Sequence, residues 1–435
     1  MKTKKQGKLL ILTSILILSI GFLGFLAIYA KDMEMNRKNQ DIKVMKVSSV
    51  SFSTLGKENL SKYMVRNITI TSVGDIMCHK WQIMRAYDES TDTFDFAESF
   101  TYIEKYLSES DFTVGNLETT LAGRNVGSAS VLGYSGYPMF NSPEIWAKNL
   151  KDIGFDLLTT ANNHSIDTGY KGIVATLDEL DKVGLLHTGT ARSLEEKEKQ
   201  IICDIEGIQV GFLGYTNITN GLSVPEENSY AINNIDYYTQ SEIQNMCAKV
   251  QSLKENSDLV IVMIHFGNEY VTQPDKYQKS VVDALFESGA DVVLGSHPHV
   301  IQPVEIREIQ NPDGTTRKGV VIYSMGNFIS CQQYDEQGNK DIGLIFNLNI
   351  ESDGDHTRVK SIELIPTYVY WTTDVIGVVS CYEAYEHKEE YSFLSSKDFS
   401  RITYAAENMF EHINSIGNYD AVYENERYII PVDSY

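Results

Sequence analysis

From residue 67 onward the chain repeats one pattern: an apolar run of strand length that stops at a cluster of polar residues. NITITSVGDIM carries Asp75, DFTVGNLE ends at Glu118, and GFDLLTTANNH ends at Asn163 and His164. DLVIVMIHFG holds His265, and DVVLGSHPH ends in His297 and His299; IQVGFLGYT and GVVIYSMGNFI repeat the form. Continuous apolar runs, rather than alternating ones, suit strands in a sheet covered on both faces. FAESFTYIEKYLSES, GYKGIVATLDELDKVG, DKYQKSVVDALFESGA and SKDFSRITYAAENMFEHINS have helical spacing; in the second, Ile173, Leu177 and Leu180 share one face. Ser142 followed by Pro143 predicts a further helix start, with Ser142 as N-cap. Strand–helix alternation predicts an α/β architecture. Ligands of such sheets bind beyond the carboxyl ends of the strands, where the polar clusters fall.

The N-terminus differs. Lys2, Lys4, Lys5 and Lys8 precede Leu9 to Ala30, a stretch without a charge. As a helix it would span about 33 Å, enough for a bilayer core of roughly 30 Å. Residues 1–30 are therefore expected to be cytoplasmic lysines and a single-pass anchor, with the C-terminal domain extracellular. The other reading is a long cleaved signal, with Ala27 and Ala30 at a poor cleavage site. Residues 31–66 are polar and aperiodic and read as a linker. After about residue 370 the chain turns acidic and Tyr-rich, so 371–435 is expected to be a C-terminal extension.

The net charge is −22, and the region after residue 30 is more negative still, because the first thirty residues hold four lysines and no acid. Such a surface excludes general binding of nucleic acid. Five cysteines, an odd number without a CxxC, imply no disulfide framework. No Gly-x-Ser-x-Gly elbow or Walker loop supports a serine hydrolase or a nucleotide-driven ligase.

Asp75, Glu118, Asn163, His164, His265, His297 and His299 are of the types that ligate Mn, Zn or Fe. Each follows an apolar strand, so the set is expected to gather at one sheet edge. In an extended segment, His297 and His299 would point to the same side. Asp167 either orients His164 or caps the helix begun by Asp-Thr-Gly, with capping the first expectation. Asn268 and Glu269 could line the pocket or close a loop. Ser324, Gly326 and Asn327 could bring a turn to the site, and Gly74 permits a close bend. Trp81, Tyr134 and Tyr137 are core or a substrate wall. His79, His187, His356, His387 and His412 lack a partner pattern.

GDIM, GNLET, ANNHSIDTGYKGIVATLDEL, IHFGNEY, GADVVLGSHPHVIQPVE and YSMGNF, in this order over residues 67–345, resemble the CapA family of capsule and poly-γ-glutamate synthesis proteins. CapA-like domains are in turn similar to calcineurin-like metallophosphoesterases. The resemblance implies an α/β/β/α sandwich over residues 67–370 with one or two divalent metal ions at the strand ends. It implies that Asp75 and His299 bind one metal, that Asn163, His265 and His297 bind the second, and that Glu118 bridges. His164 would act on the leaving group. Read from the residues themselves, Asp167 is a candidate partner of His164, and Asn268, Glu269 and Asn327 are candidate substrate contacts. The phosphoesterase pattern has His where this chain has Met77, and His79 lies two residues further on.

The expectation is thus a membrane-anchored extracellular protein of capsule or poly-γ-glutamate biosynthesis, export or anchoring, with a metal-dependent hydrolase or transferase site. Its partners would be the anionic polymer and membrane synthase subunits. Two alternatives are a non-catalytic polymer- or synthase-binding protein of the same fold, and an extracellular phosphoesterase.

Overall fold

The computed structural model describes residues 65–311 and 313–435. The predicted anchor and all but the end of the predicted linker lie outside the described residues. Among the described residues no helix is long and apolar enough to cross a membrane.

In chain order the first part comprises β1 (Arg66–Ile76), α1 (Lys80–Arg85), the short hairpin β2 (Tyr87–Asp88) and β3 (Thr93–Phe94), α2 (Glu104–Ser108), β4 (Phe112–Leu117), α3 (Ile145–Asp152), β5 (Leu157–Thr159), α4 (Gly169–Val183) and β6 (Leu186–Thr188). The middle comprises α5 (Leu194–Glu198), β7 (Ile201–Ile205), β8 (Ile208–Thr216), α6 (Gln240–Lys254), β9 (Leu259–His265), α7 (Lys276–Glu287), β10 (Val292–Ser296), β11 (Ile301–Gln310), β12 (Thr316–Met325) and β13 (Asn327–Ile329). The last part comprises β14 (Ile342–Ser352), β15 (Thr357–Trp371), β16 (Ile376–Ser380), α8 (Cys381–Glu386), α9 (Ser396–Ile413), β17 (Val422–Glu424) and β18 (Arg427–Pro431).

Two sheets result. One runs β17-β18-β15-β14-β1-β4-β5-β6, with β13 beside β1 and β16 beside β15; the other runs β11-β12-β10-β9-β8-β7. Ile70, Val114 and Leu157 of the first pack against Val210, Ile261 and Leu294 of the second. The outer face of the first sheet buries Trp146, Ile173, Leu177 and Leu180 of α3 and α4. The outer face of the second buries Val250, Val281 and Leu285 of α6 and α7. The layers are therefore helix, sheet, sheet, helix, as expected. In β9 the two faces are legible residue by residue. Leu259, Ile261 and Met263 face the other sheet, while Val260, Val262 and Ile264 face the helices. Each such side chain contributes about 1.5–3 kcal/mol on burial, which is why the run admits no polar alternation.

Three expectations shift. The helix placed after Ser142 starts two residues later, with Glu144 as N-cap, because the Ser142 hydroxyl pairs with Thr119 Oγ1 at 2.6 Å instead. FAESFTYIEKYLSES is a 3-10 turn followed by the short α2, with Phe96 and Phe100 both packed against Trp146. Residues 371–435 are no appendage. β15 crosses the expected boundary, β16 and β18 pair with it, and Ile402, Ala405, Met409 and Ile413 of α9 enter the core between the sheets. The acidic, Tyr-rich composition reflects the outer face of this segment and hides its inner one. All five cysteines are unpaired, in line with the sequence.

Arg401 of α9 holds Asp341 through two hydrogen bonds of 2.8 Å, with both side chains largely buried. Removing one member of such a pair leaves an uncompensated charge. Arg401→Ala is expected to lower stability by about 2–3 kcal/mol in a denaturant titration, more than an exposed ion pair would. A loss below about 0.5 kcal/mol would show that α9 is not anchored there.

Candidate metal centre

Strand register brings the polar termini together. Asp75 lies opposite Asn327 of β13 and Asn116 of β4. His265 lies opposite Thr216 of β8 and Ser296 of β10. Gly74 permits the bend that joins the two groups, since a Cβ there would meet the Gly326 carbonyl oxygen at 1.9 Å. That same oxygen accepts the Asp75 N–H at 2.9 Å.

His265 Nε2 is 3.0 Å from both Asn163 Oδ1 and His297 Nδ1. Its Nδ1 faces Ser296 Oγ at 3.0 Å. On the other side, His299 Nδ1 lies 3.0 Å from both Asp75 Oδ2 and Asn327 Oδ1. Glu118 sits between these groups, with Oε1 3.8 Å from His265 Nε2 and 3.7 Å from His299 Nε2. Glu118 is fully buried, yet neither of its oxygens has a hydrogen-bond partner. Burial, and then Asp75 beside it, pushes its carboxyl well above the usual range. Burial, with His299 next in weight, pushes His297 down to about 3, and burial with His297 holds His265 well below its ordinary value. Neutral imidazoles are the ligating form.

This donor set fits a divalent cation. Ligand atoms of Asp75, Glu118 and His265 lie within 4.8 Å of one another. His265 Nε2 carries one proton or one lone pair, so only one of its two 3.0 Å contacts can be a hydrogen bond, and an unpaired buried carboxylate is costly unless something positive meets it.

His164 Nδ1 bonds Asp167 Oδ2 at 2.7 Å, and the Phe140 N–H donates to the same oxygen. The helix cap is Thr168 instead. Asp167 therefore orients His164, and the capping expectation falls, because the carboxylate turns inward to two donors. Asn268 donates to Asp275, the capping residue of α7, at 2.9 Å, and so closes its loop rather than lining the site. Glu269 is exposed at the rim. Asn327 is buried and bonds His299, Gln332 and the Lys340 carbonyl, which makes it a holder of His299 rather than a substrate contact. Tyr134 is buried, with its hydroxyl on Glu144, while Trp81 and Tyr137 are exposed.

The His-Pro-His segment is not extended. His297 has φ 98° and His299 φ 57°, so the rings converge through left-handed backbone and not through strand alternation. His79 does not replace the ligand missing at Met77. Its Nδ1 accepts the Cys331 N–H at 3.2 Å, so its proton sits on Nε2 and leaves no lone pair there.

Sequence reasoning passed over Asn116, Asn162 and Ser296. Asn116 Nδ2 reaches Asp75 Oδ1 at 2.8 Å and His265 Nδ1 at 3.2 Å. Asn162 fixes Asn116 at 3.2 Å and the Leu117 carbonyl at 2.7 Å. The available signal was their position, each one or two residues from a chosen ligand at a strand end.

Known proteins agree with the strand-end motifs. The family model described as "Bacterial capsule synthesis protein PGA_cap" matches residues 69–332. The "PGA biosynthesis protein CapA" of Bacillus subtilis (strain 168) is 30% identical over 297 residues, 67% of this chain and 71% of its own. The "Capsule biosynthesis protein CapA" of Bacillus anthracis is 27% identical over 64% of this chain and 63% of its own. Among solved structures, a putative 5'-nucleotidase from Staphylococcus aureus is 15% identical, with a TM-score of 0.42, covering 79% of this chain and 58% of that one. From strand-end motifs and family match together, this chain belongs to the PGA_cap family of bacterial capsule synthesis proteins.

Proposed function

We propose that the chain is a membrane-anchored, extracellular protein of capsule or poly-γ-glutamate biogenesis that carries out metal-dependent hydrolysis or transfer at a metallophosphoesterase-type site. The observation that carries this reading is Glu118, fully buried, unpartnered and set between His265 and His299. Asn163, His265 and His297 would hold one divalent ion, Asp75 and His299 the other, with Glu118 between. A bound ion would supply charge stabilisation and an activated water.

The chain's own part is proton placement and orientation. Asp167 accepts Nδ1–H of His164, which leaves His164 Nε2 as the atom that exchanges a proton with a leaving group. Asn327 fixes the ring of His299, and Ser296 that of His265. Asp167→Asn is expected to reduce turnover about 10–100-fold while metal content stays unchanged, since the tautomer preference is lost. Equal turnover would remove His164 from the mechanism.

The test of function is full-length chain in detergent, supplied with Mn2+, offered a γ-linked glutamate polymer and, separately, a generic phosphodiester. Cleavage or transfer of the polymer, abolished by chelation, is the expected result. Robust turnover of the phosphodiester alone would favour the phosphoesterase alternative. Metal binding without either reaction would favour the non-catalytic partner, the reading to which Met77 and the engaged His79 lend weight. External protease acting on intact cells tests the location, with digestion of residues beyond 66 expected.

A further inference from the structure

β8 ends beside the metal centre without supplying any of the proposed ligands, although its apolar run repeats the form of the strands that do. The segment after it touches two groups on the His265 side. The Asn217 N–H donates to the His265 carbonyl at 3.1 Å. Three residues on, Asn220 Oδ1 accepts from Asn163 Nδ2 at 3.4 Å. Asn163 is buried, whereas Asn220 lies at the surface.

The turn that carries Asn220 is written into Thr219-Asn220-Gly221-Leu222. Its central residues have φ 51° and 75°, the left-handed pair of a type I′ turn, which Asn-Gly adopts readily. The Leu222 N–H donates to the Thr219 carbonyl at 2.9 Å, and the Thr219 hydroxyl to the Leu222 carbonyl at 2.6 Å. Leu222 packs against the apolar cluster that holds Trp146 and Ile173, which anchors the turn to the body of the fold.

We propose that Asn220 is a positioning residue of the metal centre, which fixes the direction of the Asn163 carboxamide. The inference rests on the metal-site reading, in which Asn163 is a ligand. A carboxamide meets a cation through its oxygen, because its NH2 group offers only donors. Half a turn about the last side-chain bond exchanges the two ends at nearly the same shape. By accepting from Nδ2, Asn220 selects the orientation that leaves Asn163 Oδ1 toward His265, 3.0 Å from Nε2. His265 cannot make that choice as a ligand, since an Nε2 that gives its lone pair to an ion has no hydrogen for Oδ1. Among the described residues Asn220 is the one acceptor of the Asn163 NH2 group. The β8 strand end thus serves the centre through its turn, by holding a ligand that belongs to the β5 strand end.

The test uses full-length chain in detergent, titrated with Mn2+ alone in a calorimeter. Asn220→Gly suits the left-handed backbone and removes only the carboxamide, so the turn and the melting temperature should stand. Its affinity for the ion on the Asn163 side is expected to fall about tenfold, the loss typical of an orienting partner, with the ion on the Asp75 and His299 side unchanged. Asn220→Asp keeps an accepting oxygen and tolerates the same backbone, so it should bind at least as tightly as wild type. Wild-type affinity in Asn220→Gly would overturn the proposal and leave the metal reading intact. Equal weakening of both ions, a lowered melting temperature, or an Asn220→Asp as weak as Asn220→Gly would assign Asn220 to the turn alone and overturn it too. A wild type that takes up no Mn2+ would end the metal reading, and this proposal with it.

Discussion

Full-length chain carrying His265→Ala is expected to lose about 100-fold or more in affinity for Mn2+ or Zn2+. Loss of an outer-shell partner alone typically costs about 10–100-fold, and His265 is proposed as a direct ligand. His265 Nε2 is 3.0 Å from both Asn163 Oδ1 and His297 Nδ1, so its removal empties the centre of that group. Asp75→Ala should act on the other side, where His299 Nδ1 stands 3.0 Å from Asp75 Oδ2. The two sides are not expected to be equal. Met77 offers no imidazole, and the Nδ1 of His79 is engaged by Cys331. Metal analysis of the wild type should therefore give one tight ion and one weaker one. The tight ion should vanish with His265→Ala, and the weaker with Asp75→Ala. Wild-type affinity in a folded His265→Ala, judged by its melting curve, would exclude the site.

Glu118→Gln should have two opposite effects. The metal-free variant should be more stable than wild type by about 1–3 kcal/mol, because an unpartnered buried carboxyl is replaced by a neutral amide of the same shape. Metal affinity should meanwhile fall by about 100-fold, since Glu118 would be one of the charged groups holding the ion. Such a trade is the mark of a residue kept for function at the expense of stability. A pH dependence follows. The folded-state pKa of Glu118 is raised, so the fold binds more protons than the unfolded chain, and stability falls as pH rises above the unfolded value of 4.5. The buried histidines His265 and His297, whose folded pKa values are lowered, slope the other way, so the Glu118 part is read as the difference between wild type and Glu118→Gln. Glu118→Gln should remove that part in metal-free protein. A destabilised variant with unchanged slope would show that Glu118 is a structural group.

Much of this was legible one residue at a time. The ligand types at the ends of β1, β4, β5, β9 and β10 could be read because a strand buried on both faces tolerates no polar residue until it emerges. α4 and α7 were legible from their apolar stripes. The Ser142 cap was not, because Thr119, distant in sequence, competes for its hydroxyl. The role of Asp167 was not, since the choice between cap and orienting group depends on where the Phe140 N–H falls.

The sequence by itself determined the α/β alternation and the identity of the polar groups at the strand ends, because hydrophobic burial acts on local pattern, and its motifs carried the family resemblance that implied the four layers. Only the tertiary structure decided their geometry. The left-handed backbone at His297 and His299 is imposed by the packing of the loop they occupy, not by a period. Asn116 and Ser296 became part of the site only when neighbouring strands set their register, and Asn162 through its bonds to Asn116 and the Leu117 carbonyl. The segment after residue 370 entered the fold because β15 and the core between the sheets still had faces to cover, a demand that its acidic composition does not disclose.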